Sequence, residues 1–258
     1  MKYFDTHTHT NDSVLDKEFN TIRRIMNNEN AGMNIIGVDL ESSKLAVEQA
    51  VTHPNFYASV GIHPDNIMDN FSADLVMYEL EKLYYSAPNK VKCIGECGID
   101  LYHNKENLDD QIFWFKKHFE LAKKLDLILM IHARDAYTEL LGVLKTLDLS
   151  GMRIIIHCFT GNVQQAKEFQ RLGCYISVGG IVTFKNGEVL RDVVRNVDLN
   201  LVVTETDSPY LAPTPFRGNT NFPYYVKYVN EFIARVLNID LDKFNKHMMS
   251  NIEKLFRL

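Results

Sequence analysis

Short apolar runs rich in β-branched residues alternate with amphipathic stretches along the whole chain. Eight of these runs have the length and composition of buried strands. They cover residues 2–9 (KYFDTHTH), 34–40 (NIIGVDL), 55–64 (NFYASVGIHP), 90–99 (KVKCIGECGI), 127–134 (LILMIHAR), 152–159 (MRIIIHCF), 174–182 (CYISVGGIV) and 200–207 (NLVVTETD). Strands that alternate with helices predict βα units around a parallel sheet. We therefore expect one (β/α)8 TIM barrel domain over residues 1–258, because eight such units fit this length.

The stretches between the runs carry helical periodicity. Within residues 107–126 the apolar side chains recur at alternating spacings of four and three: Leu108, Ile112, Phe115, Phe119 and Ala122. This spacing predicts a helix with one face on the sheet, and residues 241–258 predict a terminal helix. His118 falls outside the apolar positions of its helix, so we expect it on the solvent surface, together with His53 and His247.

Composition limits the classes of function. Hydrophobic residues make up 46% of the chain, and 28 basic residues against 33 acidic ones give a formal charge of −5. Such a protein lacks the broad basic surface that binds duplex nucleic acid, so an anionic substrate needs a local positive charge.

Location is also suggested by the sequence. The amino terminus lacks the features of a secretory signal, and no long uncharged span predicts membrane insertion, so we expect a cytoplasmic protein. The four cysteines contain no CxxC pair, which indicates reduced, packed thiols.

Polar residues gather where the predicted strands end. These are His7 and His9 on the first strand, His63 on the third, Glu96 on the fourth, His132 on the fifth, His157 on the sixth, and Glu205 with Asp207 on the eighth. In a barrel the carboxyl ends of the strands meet at one mouth, where barrel enzymes carry their active sites.

Imidazole and carboxylate groups are the ligands that borderline divalent metals favour, and one carboxylate can bridge two ions. We expect two divalent ions per chain. His7, His9, Glu96 and Asp207 are assigned to one ion, and Glu96, His132 and His157 to the other. Zinc, manganese or iron suits this imidazole-rich set better than magnesium, and the choice stays open.

Other residues are candidates for supporting or binding roles. Glu205 is expected to be a buried support or a residue that orients a metal ligand. His63, Arg134 and Arg217 are candidate substrate contacts, although ordinary ion pairing is an alternative for both arginines. Four aromatic residues near strand ends or loops are candidates for base stacking or for packing: Phe159, Phe184, Tyr210 and Phe216.

An ordered set of motifs closely resembles the TatD family of metal-dependent hydrolases. The matching blocks are DTHTH, GIHP, GECGID, IHARDA, IHCFTG, GGIVTFKN, ETDSPYLAP and NIEKLF, which together span residues about 5–256. The resemblance implies a (β/α)8 fold, divalent metals and hydrolysis, with nuclease activity on DNA. It also carries metal roles onto the same six residues: His7, His9, Glu96, His132, His157 and Asp207.

The chain departs from the family pattern in two places. Thr8 and Thr10 replace the usual cysteine and leucine of the opening motif. In RGNTNFP, Asn219 and Thr220 stand where the family often has a basic pair, and Phe222 replaces an acid. The loss of this positive charge leaves both a polynucleotide and a smaller ester open as substrates.

The leading hypothesis is a metal-dependent phosphodiesterase or deoxyribonuclease. Asp207 is the expected catalytic residue, which orients a metal-activated water and accepts its proton. The expected partner is DNA or a smaller phosphodiester, with no membrane and no obligatory protein partner. One alternative is cleavage of an amide, a lactone or a deaminable ring by the same water. Another is a non-catalytic nucleic-acid-binding or protein-binding module with a structural metal.

Overall fold

A computed structural model describes residues 1–258, in which strands and helices alternate. The strands are β1 (Tyr3–Thr8), β2 (Ala31–Ile36), β3 (Phe56–Val60), β4 (Val91–Asp100), β5 (Ile128–Arg134), β6 (Arg153–Ile156), β7 (Tyr175–Val178) and β8 (Val202–Thr204). The helices are α1 (Phe19–Asn28), α2 (Leu40–Ala50), α3 (Ala73–Ser86), α4 (Leu108–Leu125), α5 (Tyr137–Leu144), α6 (Val163–Arg171), α7 (Glu188–Asn196), α8 (Val226–Val236) and α9 (Leu241–Phe256).

The eight strands belong to one sheet in the order β1 to β8. The strand pairs whose register is defined are parallel. Eight parallel strands in sequential order, each followed by a helix, confirm the predicted (β/α)8 fold.

The start of the second strand was predicted too late. The apolar run at residues 34–40 suggested the strand, whereas β2 begins at Ala31 and ends at Ile36. The chain leaves the strand there because Asp39 caps α2, where its side chain accepts a hydrogen bond from the Ser42 amide at 2.7 Å. Part of the apolar run therefore leads into the helix.

The chain divides into two compact units. The first unit comprises Met1–Ile35 and Cys158–Leu258, and the second comprises Ile36–His157. In the first unit β1 pairs with β2, β7 pairs with β8, and Thr8 forms an isolated parallel bridge with Ser208. In the second unit β3, β4, β5 and β6 pair in succession. The assignment of residues 1–258 to one domain stays a prediction.

Register shifts interrupt the regular pairing next to predicted ligands in β1 and β4. Between Asp5 and Thr8, β1 has one residue more than the paired stretch of β2. Between Ile94 and Cys97, β4 has one residue more than the paired stretch of β5. Such bulges change the direction of nearby side chains, so strict alternation does not describe the strands around His7 and Glu96.

His118 is fully buried on α4, and the prediction of a solvent-exposed residue was wrong. Its Nδ1 donates to the Trp114 carbonyl at 2.7 Å, and its Nε2 accepts from the Ile62 amide at 3.0 Å. Burial lowers the pKa of His118 to about 4. The buried face of α4 also includes Gln111, so it is wider than the apolar stripe in the sequence. His53 is likewise buried, contrary to the prediction.

The remaining features of the fold agree with the sequence. The terminal helix is present as α9, and Cys93, Cys97 and Cys174 are buried and form no disulfide. No helix combines the length and the apolar character needed to span a bilayer.

Candidate metal centre

The end of β1 is joined to the segment after β8 by backbone hydrogen bonds. The Asp207 amide donates to the His7 carbonyl at 2.9 Å, and the His9 amide donates to the Ser208 carbonyl at 2.7 Å. The hydroxyl groups of Thr8 and Ser208 lie 2.6 Å apart. These bonds place His7, His9 and Asp207 at one end of the first unit.

We call these three residues the β1–β8 cluster. The Nε2 atoms of His7 and His9 are 3.2 Å apart. The Oδ1 atom of Asp207 lies 3.7 Å from the first of these nitrogens and 3.5 Å from the second. His7 is fully buried and the other two side chains are mostly buried. The cluster therefore presents two imidazole nitrogens and a carboxylate oxygen to a common point.

A second carboxylate holds the backbone of this cluster. Asp5 is fully buried and accepts hydrogen bonds from the His7 amide at 3.2 Å, from the Thr206 amide at 2.9 Å and from the Thr206 hydroxyl. Burial raises the pKa of Asp5 well above its usual value, against the opposing effect of these hydrogen bonds. Asp5 thus supports the ends of both segments that carry the cluster.

Glu205 is also buried and hydrogen-bonded. Its Oε1 accepts from the Cys158 amide at 2.6 Å, and its Oε2 accepts from the Ser177 hydroxyl at 2.5 Å. These contacts agree with the prediction of a buried support.

The second unit contains its own set of predicted ligands, which we call the β4–β6 cluster: Glu96, His132 and His157. The Nε2 of His157 lies 2.8 Å from Glu96 Oε2 and 3.2 Å from His132 Nδ1. The Nδ1 of His132 lies 3.6 Å from the same carboxylate oxygen. Glu96 and His157 are buried and His132 is half-buried.

Asp100, at the end of β4, determines which nitrogen of His132 faces this cluster. Its Oδ2 lies 3.0 Å from His132 Nε2 and 3.0 Å from His103 Nδ1, and its Oδ1 accepts from the Tyr102 and His103 amides at 2.9 Å. Because an ionised carboxylate only accepts, both imidazole nitrogens must donate to it. In neutral His132 the lone pair is then on Nδ1, which faces Glu96 and His157.

The pKa values in this region follow from the same contacts. Burial raises the pKa of Asp100, but the hydrogen bonds from His132 and His103 outweigh it, so the pKa lies below its usual range. Burial lowers the pKa of His132, but hydrogen bonding to Asp100 and Glu96 outweighs it and the pKa is raised. These contacts therefore stabilise the protonated form of His132 relative to that of a free imidazole.

Both clusters fit a divalent metal by their chemistry. In each, two imidazole nitrogens and one carboxylate oxygen lie within 4.8 Å of one another. Borderline divalent metals prefer this mixture of nitrogen and oxygen ligands. The structure thus brings the six predicted ligands together in two groups of three. The shared role of Glu96 at the first ion stays a prediction.

The predicted substrate contacts have different surroundings. His63 lies beside His132 with 4.4 Å between ring centroids, and burial lowers the pKa of His63 to about 4. Arg134 is exposed and its guanidinium lies over the Tyr102 ring at 3.9 Å. Arg217 is also exposed and lies over the Phe184 ring at 3.8 Å. Both arginines stack on aromatic rings.

The four aromatic candidates differ in how far they are buried. Phe159 and Phe184 are buried, which supports packing. Phe216 stacks on Tyr225 with centroids 4.3 Å apart. Tyr210 is 55% exposed and its ring lies 6.3 Å from that of His9. Of the four, Tyr210 is the exposed ring next to a predicted metal ligand.

The sequence interpretation missed Asp100. This residue ends β4 within the GECGID motif and is four positions after Glu96. The rule that polar residues at strand ends are functional candidates would have included it, had it been applied to every residue of the motif.

Comparisons with known proteins agree with this geometry. Residues 4–257 match the family model of TatD related DNases. The chain is 35% identical over 256 residues to the uncharacterized metal-dependent hydrolase YabD of Bacillus subtilis, with 99% of each sequence covered. It is 34% identical over 263 residues to the uncharacterized metal-dependent hydrolase MG009 of Mycoplasma genitalium, again with 99% of each covered. The crystal structure of YJJV, a TatD homolog from Escherichia coli, has a TM-score of 0.91 at 25% identity and covers 100% of this chain and 98% of its own.

Proposed function

Because the chain belongs to the family of TatD related DNases and is a metal-dependent hydrolase, we propose that it hydrolyses phosphodiester bonds, with DNA as the substrate. The observation that carries the proposal is the pair of His/carboxylate clusters, whose ligand chemistry suits catalytic divalent metals. The finer assignment to DNA rests on the family and on the exposed groups beside these clusters.

The protein side chains have separate tasks in this reaction. His7, His9 and Asp207 would hold one ion, and Glu96, His132 and His157 would hold the second. A bound divalent ion lowers the pKa of a water molecule and offsets the negative charge of the phosphate. Asp207 accepts the proton of the attacking water, and Asp100 keeps His132 in the tautomer that offers Nδ1 to a metal.

Exposed groups account for substrate binding. The guanidinium groups of Arg134 and Arg217 each stack one face on an aromatic ring. Their in-plane N–H groups then bind phosphate oxygens of the substrate. Tyr210 offers a ring for stacking a nucleobase next to the β1–β8 cluster. We further propose a cytoplasmic location.

A substrate panel tests the proposal. Protein loaded with zinc, manganese or magnesium is assayed on short single-stranded and duplex DNA, bis(p-nitrophenyl) phosphate, a lactone and a cyclic amide. We expect metal-dependent turnover of DNA and of the simple diester. Turnover of the lactone or amide alone would reject the nuclease, and DNA binding without turnover of any substrate would support a non-catalytic module.

A further inference from the structure

Helix α3 has apolar side chains on two faces. Its inner face buries Ala73, Val76, Met77 and Leu80. On the outer face Leu75 is 64% exposed, Tyr78 is 57% exposed and Tyr85 is 63% exposed. Phe71, two residues before the helix begins, is fully exposed. A helix that only packs on its own sheet needs one apolar face, so the outer face requires another explanation.

The spacing of the outer residues is regular. Phe71, Leu75, Tyr78, Lys82 and Tyr85 follow one another at intervals of four, three, four and three, and we call them the outer seam. This alternation is the repeat by which one helix packs along another. Within α3 the seam runs from Leu75 to Tyr85, about 15 Å at the rise of a helix. Lys82 is its one polar member, and such a residue within an apolar seam commonly selects the register of the partner.

The exposed area is large for an unpartnered helix. Accessible aromatic side chains contribute roughly 150–250 Å2 each, so the four apolar members present on the order of 500 Å2. The largest apolar patch on a typical monomer covers about 300–600 Å2 and is often an interaction site. The seam alone reaches the upper part of that range.

We propose that the outer seam is the interface of a homodimer, in which α3 packs antiparallel to α3 of a second copy around a two-fold axis at Tyr78. The ends of the seam match under this operation because Phe71 and Tyr85 lie seven residues on either side of Tyr78, and Leu75 of one copy lies next to Lys82 of the other. Phe71 of one copy then packs beside Tyr85 of the other. An isologous contact of this kind closes after two subunits.

Charge complementarity favours the same arrangement. Asp74 and Lys82 each lie four residues from Tyr78, so the axis brings Asp74 of one copy against Lys82 of the other. Asp74 is exposed and contacts Lys117 within its own chain at 2.6 Å, and Lys82 contacts Glu79 at 2.9 Å. Asp74 lies beside the seam and Lys82 within it, so attraction between their opposite charges sets register more than affinity.

The area also suits a second copy. A standard interface buries about 800 Å2 on each partner. The apolar seam supplies more than half of this area. The aliphatic stem of Lys82, the half-exposed Met68 and the flanking charged side chains supply the rest. We expect a reversible dimer rather than an obligate one.

Sedimentation velocity over about 5 to 200 µM protein tests the proposal. The wild-type chain of 29.8 kDa is expected to shift to twice that mass as concentration rises. Tyr78→Glu is expected to weaken the dimer at least about tenfold, because it removes the central apolar contact and places two like charges against each other at the two-fold axis. Val189→Glu is the matched control: Val189 is 52% exposed on α7 and is not part of the seam, so the variant should dimerise like the wild type.

Charge reversal tests the orientation. Asp74→Lys and Lys82→Asp are each expected to weaken the dimer several-fold, and the double variant to recover most of the loss. Thermal unfolding by circular dichroism confirms that each variant is folded. A wild-type monomer throughout the concentration range would overturn the proposal, including the case in which the seam binds a different protein. A double variant that is no better than the single ones would overturn the antiparallel arrangement.

Discussion

Replacing Asp100 by asparagine should weaken metal binding although Asp100 is itself not a predicted ligand. Asp100 Oδ1 accepts hydrogen bonds from two backbone amides at 2.9 Å, and Oδ2 accepts hydrogen bonds from the His132 and His103 rings at 3.0 Å. In Asp100→Asn the single amide oxygen satisfies the backbone donors, which are fixed by the chain. The new NH2 group then faces two imidazole nitrogens that both donate in the wild type.

The size of the loss in metal affinity follows from the two tautomers that neutral His132 can adopt in this variant. If Nε2 becomes the acceptor, the proton moves to Nδ1 and occupies the position that faces Glu96 and His157. If His132 keeps Nδ1 free for a metal, two donors oppose each other in a buried place, at a cost of about 1–3 kcal/mol. Since about 1.4 kcal/mol equals one decade, metal affinity at the β4–β6 cluster should fall roughly 10- to 100-fold, the usual range for a partner of a metal-bound histidine.

Competition with a chromophoric chelator measures this loss. Asp65→Asn is the matched control, because it removes the same charge nearby and contacts His103 and His63 at 3.5 and 3.7 Å. Neither of these rings belongs to the β4–β6 cluster, so the metal affinity of Asp65→Asn should stay within about threefold of the wild type. Equal metal affinity in wild type and Asp100→Asn, with both folded, would refute the tautomer argument.

Three further predictions address other parts of the molecule. Glu96→Ala should lose metal and hydrolysis together, whereas the exposed Glu231→Ala should lose neither; full metal content in the first variant would contradict its role as a ligand. Tyr210→Ala should raise KM for single-stranded DNA about 5- to 100-fold and leave bis(p-nitrophenyl) phosphate unchanged, while Tyr210→Phe behaves like wild type; equal losses on both substrates would exclude base stacking. His118 should cost the metal-free protein up to about 3 kcal/mol of stability as pH falls from 6.5 towards 4, because its pKa is about 4 in the folded chain and about 6.5 in the unfolded chain. Urea unfolding should show that the stability of His118→Gln depends less steeply on pH than that of the wild type. Equal pH dependence of stability in the two proteins would contradict this origin.

The sequence predicted the number and order of the strands because buried runs and helical spacing are local properties. It placed the start of β2 three residues late, since Gly32 is a poor strand former. In the structure the buried Asn34 donates its side-chain amide to the Thr6 carbonyl at 3.2 Å. That contact joins two distant segments, and such pairing overrides local propensity.

The ligand residues and their positions at strand ends were also predictable, because both follow from the local sequence. The bulges at β1 and β4 were not, because register depends on how two strands meet. Likewise the burial of His118 depends on the Ile62 amide, 56 residues earlier. A polar residue beside an apolar stripe was interpreted as exposed, whereas a distant backbone donor satisfies it inside the protein.

The composition of the two clusters connects metal binding with an anionic substrate in a chain of negative charge. Each cluster contains one carboxylate and two imidazoles, so a divalent ion held there leaves one net positive charge. The buried Asp5 is engaged with the His7 and Thr206 amides and with the Thr206 hydroxyl. Asp100 is engaged with His132 and His103. A ligand set dominated by carboxylates would bind the ions and neutralise them. The imidazole-rich sets keep a positive potential directed at substrate, which benefits a phosphodiester more than a neutral lactone or amide and offsets the missing basic pair at Asn219 and Thr220.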